Sequence, residues 1–421
     1  MILDRLLFKE TFLYILSKII PGIVGLSSVL IFLRILGTEE YGQYSFILSQ
    51  CTLFVAVGFG WLNQSTLRYY SKDHILNSYN NNRTKAIFIS IVSCLLILSI
   101  FIYFQPLSIK IYCFSIMLII MMGCFNYVKT LFQSKILPKK VFILTSIQAS
   151  LSLAIPLFLM KIISSNKEFL LLGVSFSFLL SMMFLIKTSF KNYRFRNIKN
   201  LIAKQNNDLL KKWAYYGTPL SLWFAVGLAL PFLDRFFINI YLPDQYLGLY
   251  ASTQELLTRF FSLTLFPFIM ALHPRIMSLW NKSNYHDATR LINQSISLVF
   301  IIGVIILYIV WKFNDFTFLL MGIMIPGFDS ESRRLIVPLL ASGLLWQLSF
   351  LTHKMLELME KTSLMTMAII PSLIINIIGN YYFLPIIGGR ATAYSSLLSA
   401  FIYCSITGIY SIYSMNKIKS L

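Results

Sequence analysis

The chain has 421 residues, of which 57% are hydrophobic and 12% charged, and its mean hydropathy is +0.72. Soluble proteins are nearer half apolar and a quarter charged, so this is a polytopic membrane protein. A formal charge of +20 would point to nucleic acid in a soluble domain; in a bilayer it asks instead which side holds the basic residues, and no nucleic-acid partner is expected.

A spanning helix needs about 20 mostly apolar residues, and twelve stretches qualify: 11–36, 43–66, 85–104, 107–131, 141–161, 168–187, 213–241, 249–272, 290–311, 334–354, 361–383 and 391–414. Helices are expected throughout, because backbone in lipid must bond within its own segment and barrel strands would alternate with period two. The opening run, "MILDRLLFKETFLYILSKIIPG", has basic flanks but no small-x-small cleavage site before the next span. It reads as a retained first span rather than a signal peptide.

With the N-terminus inside, the inner segments hold 24 Lys and Arg, while the outer ones hold seven: Lys110, Lys161, Lys167, Lys312, Arg333, Arg334 and Arg390. That bias places both termini in the cytoplasm. The longest inner segment, "KTSFKNYRFRNIKNLIAKQNNDLLKK" (187–212), reads as a basic amphipathic surface helix on anionic headgroups. It lies at the midpoint and divides the chain into 1–187, a linker at 188–212, and 213–421, with six spans in each half.

The halves share a pattern. "IIPGIVGLSSVLIFLRILGTEEYGQYSFILSQ" and "YGTPLSLWFAVGLALPFLDRFFINIYLPDQYLGLYASTQ" each carry an early proline (Pro21, Pro219), an acidic turn, then Tyr41, Gly42, Tyr44 or Tyr246, Gly248, Tyr250. Six spans per half is even, so the repeats share orientation about an axis along the membrane normal. The prolines Pro21, Pro156, Pro219, Pro231, Pro267 and Pro371 are expected to interrupt spans and permit bending.

Chemical signatures are sparse. Cys51, Cys94, Cys113, Cys124 and Cys404 sit unpaired in apolar runs, and His74, His273, His286 and His353 form no H-x-x-x-H. Neither a disulfide framework nor a metal site is expected. With no phosphate loop, nucleophile elbow or catalytic carboxylate pair, neither an enzyme nor a cofactor is indicated.

"RILGTEEYGQYSF", "GWLNQSTLRYY" and "LDRFFINIYLPDQYLGLYAS" resemble Wzx-type polysaccharide flippases, of the multidrug, oligosaccharidyl-lipid and polysaccharide exporter superfamily. The resemblance implies an all-α fold of two six-helix bundles related by pseudo-twofold symmetry around a central cavity that opens alternately to either side. It further implies a bacterial inner-membrane flippase that carries an undecaprenyl-diphosphate-linked oligosaccharide, an O-antigen or related glycan unit, to the outer leaflet. Other glycan assembly proteins would be its partners.

Five bases fall well inside spans, Lys18, Arg34, Lys129, Arg235 and Arg259, against the acids Asp234, Glu255 and, near an inner end, Glu357. Ionisable groups at this depth cost roughly 2.5–3.5 kcal/mol on insertion scales and normally face a bundle interior or a wet cavity. Glu255 and Arg259, four apart, share a helical face and can pair. Asp234 and Arg235 are about 100° apart, so at least one needs a partner on another helix.

Two readings stay open: paired or snorkelling structural charges, or a site for the diphosphate. The latter carries roughly two negative charges, and each contact with Arg at 4 Å is worth about 4 kcal/mol at an effective dielectric near 20. Arg34, at an outer end, fits snorkelling and a cavity mouth equally. Gln50, Gln254, Gln347, Asn376 and Asn380, with Asn63, Gln64 and Asn126, supply amides for sugar hydroxyls, and Trp61, Trp223 and Trp346 are stacking candidates. Hydrogen bonds between helices are the alternative for each.

For energy, two negative charges moving outward gain about 4.6 kcal/mol at 100 mV. Glu255 or Asp234 could instead carry a coupling proton or sodium. Rival readings are a multidrug or small-solute exporter of the same superfamily, disfavoured by the basic excess, and an integral-membrane glycan polymerase or ligase. The latter would need a large reactive outer loop, whereas 312–333 is short and partly apolar.

Overall fold

A computed structural model describes residues 2–73, 79–104, 108–189 and 208–419. It is helical throughout, and no strand is found among the described residues. In chain order the helices are α1 (Ile2–Asp73), α2 (Tyr79–Phe104), α3 (Ile109–Ser134), α4 (Pro138–Ile162), α5 (Lys167–Ser189), α6 (Asp208–Tyr241), α7 (Asp244–Thr264) and α8 (Phe266–Asn281). They continue as α9 (Tyr285–Lys312), α10 (Asn314–Met324), α11 (Ser330–Arg333), α12 (Ile336–Thr352), α13 (Lys354–Leu358), α14 (Thr362–Ile387) and α15 (Arg390–Lys419).

Among the described residues ten stretches are long and apolar enough to cross a membrane, and α7 with α8 adds an eleventh as one span bent by 45°. The first of the ten holds two apolar segments, because α1 turns at Gly37, with φ 77° and ψ 173°. That backbone region is open essentially to glycine alone. The described residues of the twelve apolar stretches thus fall on helices, with 249–272 divided between α7 and α8 and 334–354 running from α12 into α13.

Pro267 stands in the first turn of α8, at the bend, where a missing N–H is tolerated. Pro21, Pro156 and Pro371 lie inside uninterrupted helices, and α6 runs through Pro219 and Pro231. In a membrane, neighbouring helices and local adjustment satisfy the freed carbonyls, so a proline need not end a span. The surface helix expected at 187–212 falls mostly on residues 190–207, outside the described ones.

Contacts group the chain into two compact units: residues 1–24 with 47–228, and 25–46 with 229–421. The α1 segment 25–46 thus packs with the second half of the sequence, and the start of α6 with the first.

In the first unit, Phe125, Phe132, Val141, Leu144, Met182 and Leu185 join α3, α4 and α5 in one core. Small residues let the backbones close up, since lipid tails give helix association no hydrophobic drive and packing must supply it. A Cβ on Gly217 of α6 would stand 2.0 Å from the Trp61 carbonyl of α1. Beside it Ser65 donates to the Trp213 carbonyl (2.6 Å), and Asp73 accepts from Lys212 (2.9 Å) and the Trp213 indole (2.8 Å). In the second unit, Ile276, Ile292, Met355, Leu358 and Met415 join α8, α9, α13 and α15.

Candidate functional site

Asp234 and Arg235 of α6 solve their placement by facing different partners. The Asp234 carboxylate is fully buried. Its Oδ2 accepts from Ser396 Oγ (2.5 Å), Tyr250 Oη (2.9 Å) and Gln254 Nε2 (3.1 Å). Its Oδ1 accepts from Asn376 Nδ2 (2.9 Å) and Asn380 Nδ2 (3.3 Å). Helices α7, α14 and α15 therefore converge on one acid through five neutral donors, and among the described residues it forms no ion pair.

Asn376 and Asn380 are one turn apart on α14, as the sequence suggested, and both are buried against Asp234. Here they solvate a carboxylate. Two acceptors beside the acid, Gln254 Oε1 and Asn380 Oδ1, are buried without a partner.

Arg235 turns the other way. It donates to Glu255 Oε1 (3.0 Å) and to the Ser45 carbonyl (3.2 Å). Arg259 reaches Glu255 Oε2 at 3.5 Å along the same face of α7, the four-residue pairing expected from spacing. Ser45 Oγ (2.7 Å) and Tyr41 Oη (3.2 Å) complete the shell of Glu255. One carboxylate thus serves two guanidiniums, and the cluster keeps one positive charge in excess. Arg259 remains 34% exposed, against 8% for Arg235.

The α1 segment 25–46 fits against α7 through missing side chains. A Cβ on Gly42 would stand 2.5 Å from Gly248 N, and one on Gly248 would stand 1.7 Å from the Thr38 carbonyl oxygen. Gly25 leaves the space that the Arg259 guanidinium fills. Gln43 donates to Asp244 at 2.5 Å.

In the first unit Lys129 donates to Asn126 Oδ1 (3.2 Å) and stands 6.0 Å from the centre of the Phe125 ring. Lys18 lies near enough to repel it. Among the described residues neither lysine pairs with a carboxylate. Arg34 is exposed and donates to the Ile323 carbonyl at the end of α10 (2.9 Å).

The remaining candidates divide. Gln50 is fully buried with both side-chain polar atoms unpartnered. Gln347 reaches Ser262 at 3.5 Å while its Oε1 stays unpartnered. Trp223 packs edge-on to Phe224, and Trp346 lies against Tyr403.

Sequence reasoning missed Tyr41, Ser45, Tyr250 and Ser396. The two tyrosines belong to the repeated Tyr/Gly pattern, which was a usable signal; the serines carry none. Of a further cluster it singled out only Glu357: Lys354 donates to Glu357 (2.5 Å) and lies 2.9 Å from His273 Nδ1, beside a buried His353 in contact with the Tyr403 hydroxyl (3.2 Å).

A family profile described as polysaccharide biosynthesis protein matches residues 7–280, and one described as MatE matches residues 219–382. No match was found among curated proteins. Among solved structures the chain is similar to the outward-facing conformation of a multidrug resistance MATE family transporter of the MOP superfamily. The TM-score is 0.63 at 13% identity, over 97% of this chain and 95% of that one. The inward-facing conformation of such a transporter matches with TM-score 0.62 at 12% identity, over 97% and 96%. A MOP superfamily transporter from Pyrococcus furiosus Vc1, described by a reverse polarity of its binding pocket, gives 0.62 at 13% identity over 96% of each chain. At these identities the likeness carries the fold, while the first profile spans more than half of the chain: the protein is a multi-pass membrane protein that belongs to the polysaccharide biosynthesis protein family.

Proposed function

We propose that this transporter is a flippase that moves an undecaprenyl-diphosphate-linked oligosaccharide from the inner to the outer leaflet of a bacterial inner membrane by alternating access. The observation that carries the reading is an uncompensated cationic charge at membrane depth in each unit. Arg235 and Arg259 share one acid in the second, and Lys18 and Lys129 have none among the described residues of the first. Such charge at membrane depth is costly without a counter-ion, and a diphosphate supplies one. Arginine suits it because its planar fork matches phosphate oxygens and stays ionised.

On this reading each unit offers its own station for the diphosphate, Arg34 stands at the outer end, and Gln50 and Gln347 keep free polar atoms for the sugar. Asp234 is the better candidate for coupling to a proton or sodium, since Glu255 is committed to two arginines. Both termini are assigned to the cytoplasm from the distribution of Lys and Arg. Loss of the gene tests the proposal: lipid-linked repeat units should accumulate on the inner leaflet with their assembly intact. Repeat units that reach the outer leaflet and stay unpolymerised would instead indicate a polymerase.

A second reading, export of drugs or small solutes, is favoured by the MatE match over residues 219–382. It predicts that purified protein binds organic cations and ignores undecaprenyl diphosphate.

A further inference from the structure

We propose that Glu255 is a built-in competitor for the substrate's anion. The same carboxylate holds Arg235 and Arg259 and holds the outer α1 segment 25–46, so a diphosphate that takes the arginines releases that segment. The inference rests on reading the two arginines as a diphosphate station.

The bonding of Glu255 motivates it. Each of its oxygens accepts one bond from an arginine and one from α1: Oε1 from Arg235 (3.0 Å) and Ser45 (2.7 Å), Oε2 from Arg259 (3.5 Å) and Tyr41 (3.2 Å). A carboxylate oxygen has two lone pairs, so both are filled. The arginines are not: Arg235 Nε is buried without a partner, and Arg259 reaches the acid through a single long bond while a third of its side chain is exposed. A diphosphate carries more charge than a carboxylate and more acceptor oxygens, so it satisfies both guanidiniums where Glu255 cannot.

Besides Glu255, the segment is kept in place by Phe46 stacked on Phe232 (5.8 Å), by the buried side chains Val29, Phe32, Leu33 and Tyr44, and by Arg34 on the Ile323 carbonyl. Gly42 and Gly248 bring backbone against backbone with no side chain between them, and Gln43 with Asp244 adds one polar contact. Among these ties only the bonds at Glu255 also involve the arginines, so they are the ones a competing anion takes away, and their loss loosens the segment against α7. Gly37, at φ 77°, makes the segment a hairpin, so its two arms can leave together. The basic-residue bias puts that turn on the outer side. The consequence is an outer closure that the substrate itself unlocks: an empty transporter stays shut outward, and one whose arginines hold a diphosphate does not.

Leu247 reports on the closure, being fully buried and next to the Gly42 contact. In full-length protein carrying Leu247→Cys, with Cys113, Cys124 and Cys404 replaced by Ser, maleimide labelling is followed with and without undecaprenyl diphosphate, and binding of that lipid is measured separately. The expected result is a labelling rate raised about tenfold by the lipid. Adding Glu255→Gln should give the raised rate without lipid, remove the response, and tighten lipid binding. Tyr41→Phe removes one α1 bond and leaves the arginines alone. It should raise basal labelling and tighten lipid binding by a smaller factor, because less closure has to be undone. Binding without any change in labelling, or weaker binding in Glu255→Gln, overturns the competition while leaving the diphosphate station standing. Absence of binding overturns both.

Discussion

Replacing Asp234 by Ala should unfold the centre of the second unit far more than removal of one charge suggests. Tyr250, Gln254, Asn376 and Ser396 each aim a buried donor at this acid, while Asn380 has a second acceptor in the Asn376 carbonyl (3.0 Å). Side-chain hydrogen bonds between membrane helices average about 0.6 kcal/mol and reach about 1.7. Four lost together give about 2.5–7 kcal/mol. Asp234→Asn is the informative contrast. One of its atoms still accepts, the new NH2 can meet Gln254 Oε1, which has no partner now, and the two hydroxyls can rotate to accept. Its cost should be about 1 kcal/mol. The assay is the thermal midpoint and yield of purified variants, beside surface glycan in cells. The Ala variant should be strongly destabilised, whereas the Asn variant should fold well yet lose transport driven by an ion gradient. Equal stability of Ala variant and parent, or an Asn variant as unstable as the Ala one, would refute the account of Asp234 as the hub of the unit.

Further expectations concern the arginines, the glycine contact and the lysines. Arg235→Ala and Arg259→Ala should abolish surface glycan at normal protein levels, with Lys replacements retaining part of it; full activity of both Ala variants would make the arginines structural. Gly248→Ala places a Cβ 1.7 Å from the Thr38 carbonyl oxygen and should cost about 1–3 kcal/mol in thermal stability. Gly227→Ala, with nothing within 4 Å, should be neutral or stabilising by up to about 1 kcal/mol. Lys129→Glu should pair with Lys18 and weaken undecaprenyl diphosphate binding in a direct titration; unchanged affinity would remove the lysines from the substrate path.

The helical architecture was legible because a bilayer forces it: twenty apolar residues and a satisfied backbone leave one solution for each stretch. The Glu255 and Arg259 pair was legible from helical spacing, and so was the divergence of Asp234 from Arg235. What each would meet was not. Ser396 lies 162 positions from Asp234 and Ser45 lies 210 from Glu255, and a lone serine in an apolar helix carries no pattern. Arg34 could be read either as a snorkelling or as a cavity residue, and its bond to the Ile323 carbonyl at the end of α10 was not foreseeable from either. The break at Gly37 was hidden because its cause is a backbone angle.

The most direct measurement is translocation in proteoliposomes of the purified protein, with an undecaprenyl-diphosphate-linked oligosaccharide placed in one leaflet and its exposure on the other followed by an added glycosidase. The account predicts exposure that depends on Arg235 and Arg259 and that quickens when the potential draws anions across. No exposure above protein-free vesicles, in a preparation that does export an organic cation, would contradict it.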